Sequence, residues 1–392
     1  FPVGVSEEVT LQATAHFTDG VQSNVSTVAA WTNASPLRLN LSSQTVRGLS
    51  AGPATVTVSY ASCIATSLIA VSTIAFETNY SVIAGSLFGA SAVAWASTEG
   101  WTNFQDAGLH HMRMPIDLHT NTMMDSFFWN TYDAYVKTAQ VYGVVLYGIA
   151  NPRNTSTNWP SVTFFTNSFM KLVRRYDGDG DTNDMPGLIY PIRRWEICNE
   201  VQYHDSLSSS NEWYGLGKAR YHDYLTNSLV AIGSVNPQVE LLNGAQIAPP
   251  SKAIMFEGTS TLWNAVMELG TGCVGAVSYH DYDAFLEADR MWDDLSSLNI
   301  SNKTVWISEA DMQWAWEKNT SLNQDDNARL LSQGFAYALA KGRCRIIAAS
   351  MRASGGDPAM VQWGSLVDPA AGYRRQAYYA FRKLAEKLDY HT

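Results

Sequence analysis

Cysteine is scarce and dispersed. Cys63, Cys198, Cys273 and Cys344 stand far apart, so they make neither a disulfide framework nor a CxxC metal knuckle. Each is expected to be a small buried apolar residue, and the redox compartment and oligomeric state stay open. Charge is sparse too. Asp, Glu, Lys and Arg make up 16% of the chain, the net charge is -10, and no Lys/Arg run occurs. That balance excludes the basic patch a nucleic acid or an anionic membrane would need. No apolar run approaches the ~18–20 residues required to span a bilayer. With 46% hydrophobic residues the chain still has ample core material, and no long segment has the composition of disorder. Also missing are an initiator Met and a signal peptide. The opening "FPVGVSEEVT" is what removal of a leader or an upstream domain would leave. Acceptor-type triplets at Asn24, Asn154 and Asn319 are compatible with a secreted or cell-surface protein.

What is present falls into two regions, as 392 residues allow for one small and one large domain. Residues 1–75 alternate apolar and polar positions in short runs such as "EVTLQATAHFTDG" and "ATVTVSYAS", broken by Gly- or Pro-bearing turns. This pattern predicts a small all-β sandwich. Its order of a TDG turn, a Trp-bearing strand and "VRGLSAGPATVTVSY" resembles the bacterial immunoglobulin-like module of group 2, which implies a spacer or adhesion unit.

Over residues 80–392 short apolar strands alternate with helical stretches of about ten to eighteen residues. The strands are expected near 86–91, 110–116, 144–150, 193–200, 239–245, 276–282, 304–311 and 345–352. Helices are expected at "FWNTYDAYVKTAQVYG", "DNARLLSQGFAYALAKG" and "RQAYYAFRKLAEKL", among others. Eight such units predict an α/β fold of the (β/α)8 TIM-barrel type. The competing doubly wound sheet usually carries a GxGxxG loop after its first strand, and none is there.

In a barrel the chemistry lies at the C-terminal ends of the strands. Those ends hold Arg113 and Pro115, then Asn199 and Glu200, then His280 and Tyr282, then Glu309, with Trp363 following the last strand. Two carboxylates across such a mouth suit glycoside hydrolysis: retaining at about 5–5.5 Å, inverting at about 6.5–9.5 Å.

"WEICNE" (195–200) and "VWISEAD" (305–311) resemble the two signatures of the clan A glycoside hydrolases. "MRMP", "SYHDY" and "QWGSLVD" resemble the clan's strand-2 Arg, strand-6 His/Tyr segment and strand-8 Trp, in the same order. The combination is similar to families 39, 5 and 30, with Cys198 standing where many relatives carry Trp or Gly. The resemblance implies Glu200 as general acid/base and Glu309 as nucleophile. Glu309 must be ionised to attack, for which Arg113 and Tyr282 are the natural neighbours, while Glu200 must hold a proton. Asn199 is expected to meet a sugar 2-hydroxyl, and Trp363, Trp314 and Trp316 to offer flat faces to a sugar ring. No cofactor and no catalytic metal are implied.

Each residue has a plainer reading as well. Glu196 is expected about 13 Å deeper than Glu200 on the same strand face, as a structural acid bonded to a cation, with Arg113 as one candidate. His280 is a wall residue or a substrate ligand, and each aromatic after strand 7 packs or stacks. His110 and His111 open their strand on the far face and are structural. "YDGDGDTNDMPG" offers Asp177, Asp179 and Asp181 as alternating oxygen donors, but Thr182 and Leu188 stand where an EF-hand needs Gly and Glu. A calcium site of another kind and a solvated acidic turn both remain open.

The expectation is thus a retaining glycosidase acting on an oligo- or polysaccharide, with a β-1,4-glucan or related hemicellulose favoured. The alternative is a non-catalytic carbohydrate-binding or adhesion protein on the same barrel. A metal-dependent hydrolase is disfavoured, because "SLFGASAVAW" in the first strand region has no His.

Overall fold

The computed structural model describes residues 2–4, 6, 8–17, 21–50, 52–72, 84–91, 98–118, 124, 126–152, 159–200, 218–245, 275–281, 288–297, 303–310, 323–342, 344–348, 351, 365–368 and 374–389. Nine short strands come first: β1 (Pro2–Gly4), β2 (Glu8–Thr10), β3 (Thr14–His16), β4 (Gln22–Asn24), β5 (Ala30–Asn33), β6 (Leu39–Ser42), β7 (Thr45–Gly48), β8 (Gly52–Tyr60) and β9 (Cys63–Ser72). They form sheets in the orders β1-β9-β8-β5, β2-β7-β6 and β3-β4, antiparallel except for the β1–β9 pair. The period-two pattern explains the layering. In β8, Ala54 and Val56 are buried while Thr55 and Thr57 are not. The inward residues meet Val3, Leu39, Val46, Ile69 and Val71 in a core of their own.

Eight further strands build a closed, all-parallel barrel: β10 (Phe88–Ser91), β11 (His111–Asp117), β12 (Val145–Asn151), β13 (Arg194–Asn199), β14 (Glu240–Ala245), β15 (Ala276–Asp281), β16 (Thr304–Ala310) and β17 (Cys344–Ala348). Each pairs with the next, and β10 closes on β17. The fold is a (β/α)8 barrel, close to the strand positions that the alternation predicts. Among the described residues seven helices lie between or after these strands: α1 (Thr98–Asp106), α2 (Ser126–Val141), α3 (Val162–Tyr176), α4 (Lys218–Val235), α5 (Ala288–Ser297), α6 (Gln324–Ala340) and α7 (Gln376–Leu388). Their boundaries have local causes. Ser161 caps α3 by accepting from the Phe164 N–H at 3.1 Å, and Asn323 with Asp326 forms a capping box on α6. Just beyond α2 and α6, Gly143 and Gly342 take positive φ of 66° and 78°, the left-handed exit glycine allows without strain.

The main core lies between barrel and helices, where Phe88, Phe335 and Phe381 stack edge to face and Phe169 meets Trp195. Inside the barrel, Tyr147, Ile149, Leu242, Ala276, Trp306 and Ile347 fill the lumen. Trp306 forms its floor, with the His111 ring edge-on at 5.3 Å and the Arg194 and Arg345 guanidinium groups over it at 5.3 and 5.5 Å. His110 and His111 are structural: their rings lie 3.0 Å from the Gly143 and Ser86 carbonyls. Burial, then the charges of Arg345 and Arg194, push His111 well below the usual histidine range. At the chain's end, the Asp389 carboxylate accepts from the Ser86 hydroxyl at 2.6 Å and the Leu87 N–H at 2.8 Å, tying the end of α7 to the entrance of β10. No helix among the described residues is long and apolar enough to cross a membrane.

Two expectations need correction. Cys198 and Cys344 are buried free thiols, but Cys63 is exposed, because it opens β9 directly after the tight turn from β8 and its side chain faces solvent. Cys273 lies outside the described residues. In the acidic loop, Asp181 does not join Asp177 and Asp179. It turns aside to accept from the backbone and side-chain amides of Asn183, at 2.6 and 2.9 Å, and Asp184 takes its place.

Candidate active site

The C-terminal ends of β11, β13, β15 and β16 bring Arg113, Asn199, Glu200, His280 and Glu309 together. The backbone does much of the aiming. Cys198 and Glu200 flank Asn199 with φ of 71° and 48°, left-handed values that a side chain rarely adopts. Each such residue costs on the order of 1–3 kcal/mol and is held by its surroundings. Here the Glu200 N–H donates to the Ala245 carbonyl at 2.8 Å, and Cys198 is packed out of solvent in the core. On the opposite side β16 carries an irregularity. Tyr279 pairs with Ile307 but His280 pairs with Glu309, so Ser308 is the extra residue and Glu309 is turned to the mouth.

Glu196 is the anchor beneath this layer, and the structure corrects its depth. It does not sit remote from the chemistry: one guanidinium joins it to Glu309. Arg113 donates through Nη2 to Glu196 at 2.8 Å and to Asn199 Oδ1 at 2.5 Å, and through Nη1 to Glu309. The strand keeps its register from Glu196 to Asn199, and it is the Glu196 side chain that reaches up, to the N–H of Ala245, which pairs with Asn199. Glu196, with no exposed surface, also accepts from Tyr147 Oη at 2.7 Å, the Ala245 N–H at 2.7 Å and Ser278 Oγ at 3.3 Å. That donor set is what lets a carboxylate remain in a core. Burial alone would lower the pKa of Arg113, but Glu196 and Glu309 outweigh it and raise the group above its usual range. Burial, then Glu196, likewise pushes the Tyr147 hydroxyl and the Cys198 thiol up, which leaves both neutral donors or packing groups.

His280, fully buried, places Nδ1 2.8 Å from Glu200 Oε1 and 4.0 Å from Glu309 Oε2. Among the three residues one ligand atom each, a carboxylate oxygen from each Glu and a ring nitrogen, falls within 4.8 Å of the others. One oxygen of each carboxylate therefore comes within 4.8 Å of an oxygen of the other. Ser91, Arg113, Pro115, Ile149, Asn151, Asn199 and Glu309 line a cavity of about 200 Å³ at this point. That is less than a typical ~300–1,000 Å³ ligand pocket and is of single-ring size. Since Arg113 occupies Asn199 Oδ1, the amide NH2 is the part of that side chain left to donate to a ligand.

Tyr282, Trp314, Trp316 and Trp363 lie outside the described residues. Sequence reasoning missed the bracing set. Tyr147, Ser278 and Ser308 support Glu196, with Ser278 and Ser308 hydroxyls 2.7 Å apart, and the Asn243 amide clamps the Ser278 backbone through bonds of 2.9 Å. The available signal was position: Ser278 lies two residues before His280 and Ser308 directly before Glu309.

Neither a family model nor a curated protein matches the chain. Solved structures do. A family 39 glycoside hydrolase from Bacteroides cellulosilyticus WH2 aligns over 99% of this chain and 82% of its own, with TM-score 0.56 and 12% identity. Xylanase 10B from Thermotoga maritima aligns over 79% of this chain and 97% of its own, with TM-score 0.52 and 13% identity. An endoglucanase from the same organism aligns over 78% and 99%, with TM-score 0.51 and 13% identity. At such identities the likeness is one of fold, shared with a group of glycoside-hydrolase barrels.

Proposed function

We propose that this protein is a retaining glycoside hydrolase of the clan A type, cleaving β-linked glycans by double displacement. The observation that carries the reading is the approach of a Glu200 oxygen and a Glu309 oxygen to within 4.8 Å of each other. Glu309, oriented by Arg113, attacks the anomeric carbon while Glu200 gives its proton to the leaving oxygen. The glycosyl–Glu309 ester forms as the glycosidic C–O bond breaks. Glu200 then takes a proton from water, whose oxygen attacks the same carbon and releases Glu309. His280, touching Glu200 and close to Glu309, sets the orientation of the acid/base. A β-1,4-glucan or related hemicellulose is the substrate class we favour, in keeping with the xylanase and endoglucanase names of two fold neighbours. A secreted or cell-surface setting, and an immunoglobulin-like spacer over residues 1–75, belong to the same proposal.

Glu200, His280 and Glu309 also have the composition of a metal site, which is the second reading. Arg113 weighs against it, because its cation already pairs with Glu309 through Oε1, beside the Oε2 that faces His280, and would repel a divalent ion there. The test is Glu309→Ala and Glu200→Ala against p-nitrophenyl β-glycosides. Each is expected to lose ~10³-fold or more in kcat. Azide should restore the Glu309 variant with an inverted glycosyl azide as product. Near-wild-type rates in both variants overturn the mechanism, and glycan binding without turnover by the unaltered chain favours the carbohydrate-binding alternative.

A further inference from the structure

The loop joining α3 to β13 carries four aspartates in eight residues, Asp177, Asp179, Asp181 and Asp184, and the glycosidase reading uses none of them. Three converge. One carboxylate oxygen each from Asp177, Asp179 and Asp184 lies within 4.8 Å of the other two. A calcium ion bonded at about 2.4 Å admits ligand oxygens up to about 4.8 Å apart across its diameter, so all three reach one ion.

Convergence of acids is common on surfaces, and the decisive observation is Asp177. It follows the last residue of α3, has no exposed surface, and neither of its carboxylate oxygens accepts a hydrogen bond of ordinary geometry. The Asn236 side chain and the Asp179 backbone stand near enough only to ease its charge. An ionised carboxylate buried in that way is costly unless a cation meets it. Burial and the neighbouring Asp179 charge push its pKa up to about 6. The other two acids are held in position for the same point. The Asp184 oxygens accept from the Gly178 and Gly180 N–H groups at 3.1 and 2.8 Å, and Asp179 accepts from the Asp181 N–H at 2.9 Å. Each keeps lone pairs for a metal.

We infer that Asp177, Asp179 and Asp184 hold a structural calcium ion that pins the end of α3 to the entrance of β13. The donors are all oxygens, with no Cys or His, which selects a hard cation over zinc or copper. Asp179 is exposed, so water completes the six to eight positions that calcium takes. Magnesium demands a tighter octahedron at about 2.0–2.1 Å, which suits a buried, fixed Asp177 less well. The ion would clamp a segment already tied to the end of α3 by the Met185 N–H to the Arg175 carbonyl and the Ile192 N–H to the Tyr176 carbonyl, at 2.8 and 2.7 Å. The loop enters β13 at the end opposite Glu200, so the ion acts on stability and leaves chemistry alone.

The experiment is thermal unfolding of the full chain after EDTA treatment and desalting, then with calcium chloride or magnesium chloride at millimolar concentration. Calcium is expected to raise Tm by ~3 °C or more, with magnesium giving less than half of that. Asp177→Asn and the exposed Asp179→Asn should each abolish the calcium response, while Asp181→Asn keeps it, since Asp181 bonds Asn183. Isothermal titration of the same variants should show one calcium site in the chain and in Asp181→Asn, and none in the other two. No calcium response in the unaltered chain, an equal response to magnesium, or a response that survives Asp177→Asn and Asp179→Asn each overturns the inference.

Discussion

Replacing Glu196 by Gln tests the polar layer on which the proposed active site rests. The change keeps the volume, deletes the charge, and turns one acceptor oxygen into an NH2. Oε1 accepts from Arg113 and the Ala245 N–H, while Oε2 accepts from Tyr147 and Ser278. An NH2 at Oε1 meets the Arg113 and Ala245 donors, and one at Oε2 meets the Arg113 Nε–H, although the Tyr147 and Ser278 hydroxyls can turn to accept. Arg113, 3% exposed, also loses one of its two carboxylates. Breaking a buried pair from one side costs about 3–5 kcal/mol, and the remaining bond to Glu309 argues for the lower half of that range. At about 2.1 cal/mol/K per residue, 392 residues give an unfolding entropy of ~0.8 kcal/mol/K, so Tm should fall by ~4–5 °C. Turnover of an aryl β-glycoside should fall by ~10²-fold, because Arg113 also orients Glu309 and Asn199 and an error near 1 Å has that effect. Calorimetry and initial rates check both figures, and a cycle with Arg113→Met should show coupling above ~1 kcal/mol. If Tm moves by less than about 1 °C and the rate stays within about twofold, the anchoring role assigned to Glu196 is wrong.

Two further outcomes follow from burial. The native His111 pKa lies well below the value of about 6.5 expected in the unfolded chain, so below pH ~6.5 the unfolded state binds a proton that the native state refuses. Stability is complete above that pH and should decline as pH falls, by up to ~1.4 kcal/mol per unit from this group. Urea titrations between pH 7 and 5 should show a shallower decline for His111→Gln, and an unchanged slope would refute the assignment. Cys63 is exposed while Cys198 and Cys344 are buried with raised pKa values, so Cys63→Ser should remove one fast-reacting equivalent toward a thiol reagent in the native protein. Loss of no fast equivalent would show that Cys63 is covered.

The barrel was legible because each strand is a short apolar run and the charged or amide residues fall at its exit. "WEICNE" and "VWISEAD" display that boundary: Glu200 directly follows β13 and Glu309 is the last residue but one of β16. What stayed hidden depends on backbone departures from a straight strand. Nothing in Cys198 or Glu200 as residue types announces a left-handed φ, since glycine or asparagine is the usual occupant. The extra residue at Ser308 is invisible for a similar reason: a bulge is defined by the partner strand, which a linear pattern does not contain. In the acidic loop, alternation suggested Asp181, but the short reach to Asn183 turned that side chain away and a more distant acid took its place.

The clasp between Asp389 and Ser86 spans 303 positions, and β10 has its second neighbour in β17. During synthesis the first stave therefore waits with one edge unpaired until β17 has left the ribosome. Contacts this distant are slow to form, and an open parallel edge invites mispairing meanwhile. A cut just before Asp389 would thus leave the ring without its fastener at the seam, a defect felt at the first stave and not where the cut was made.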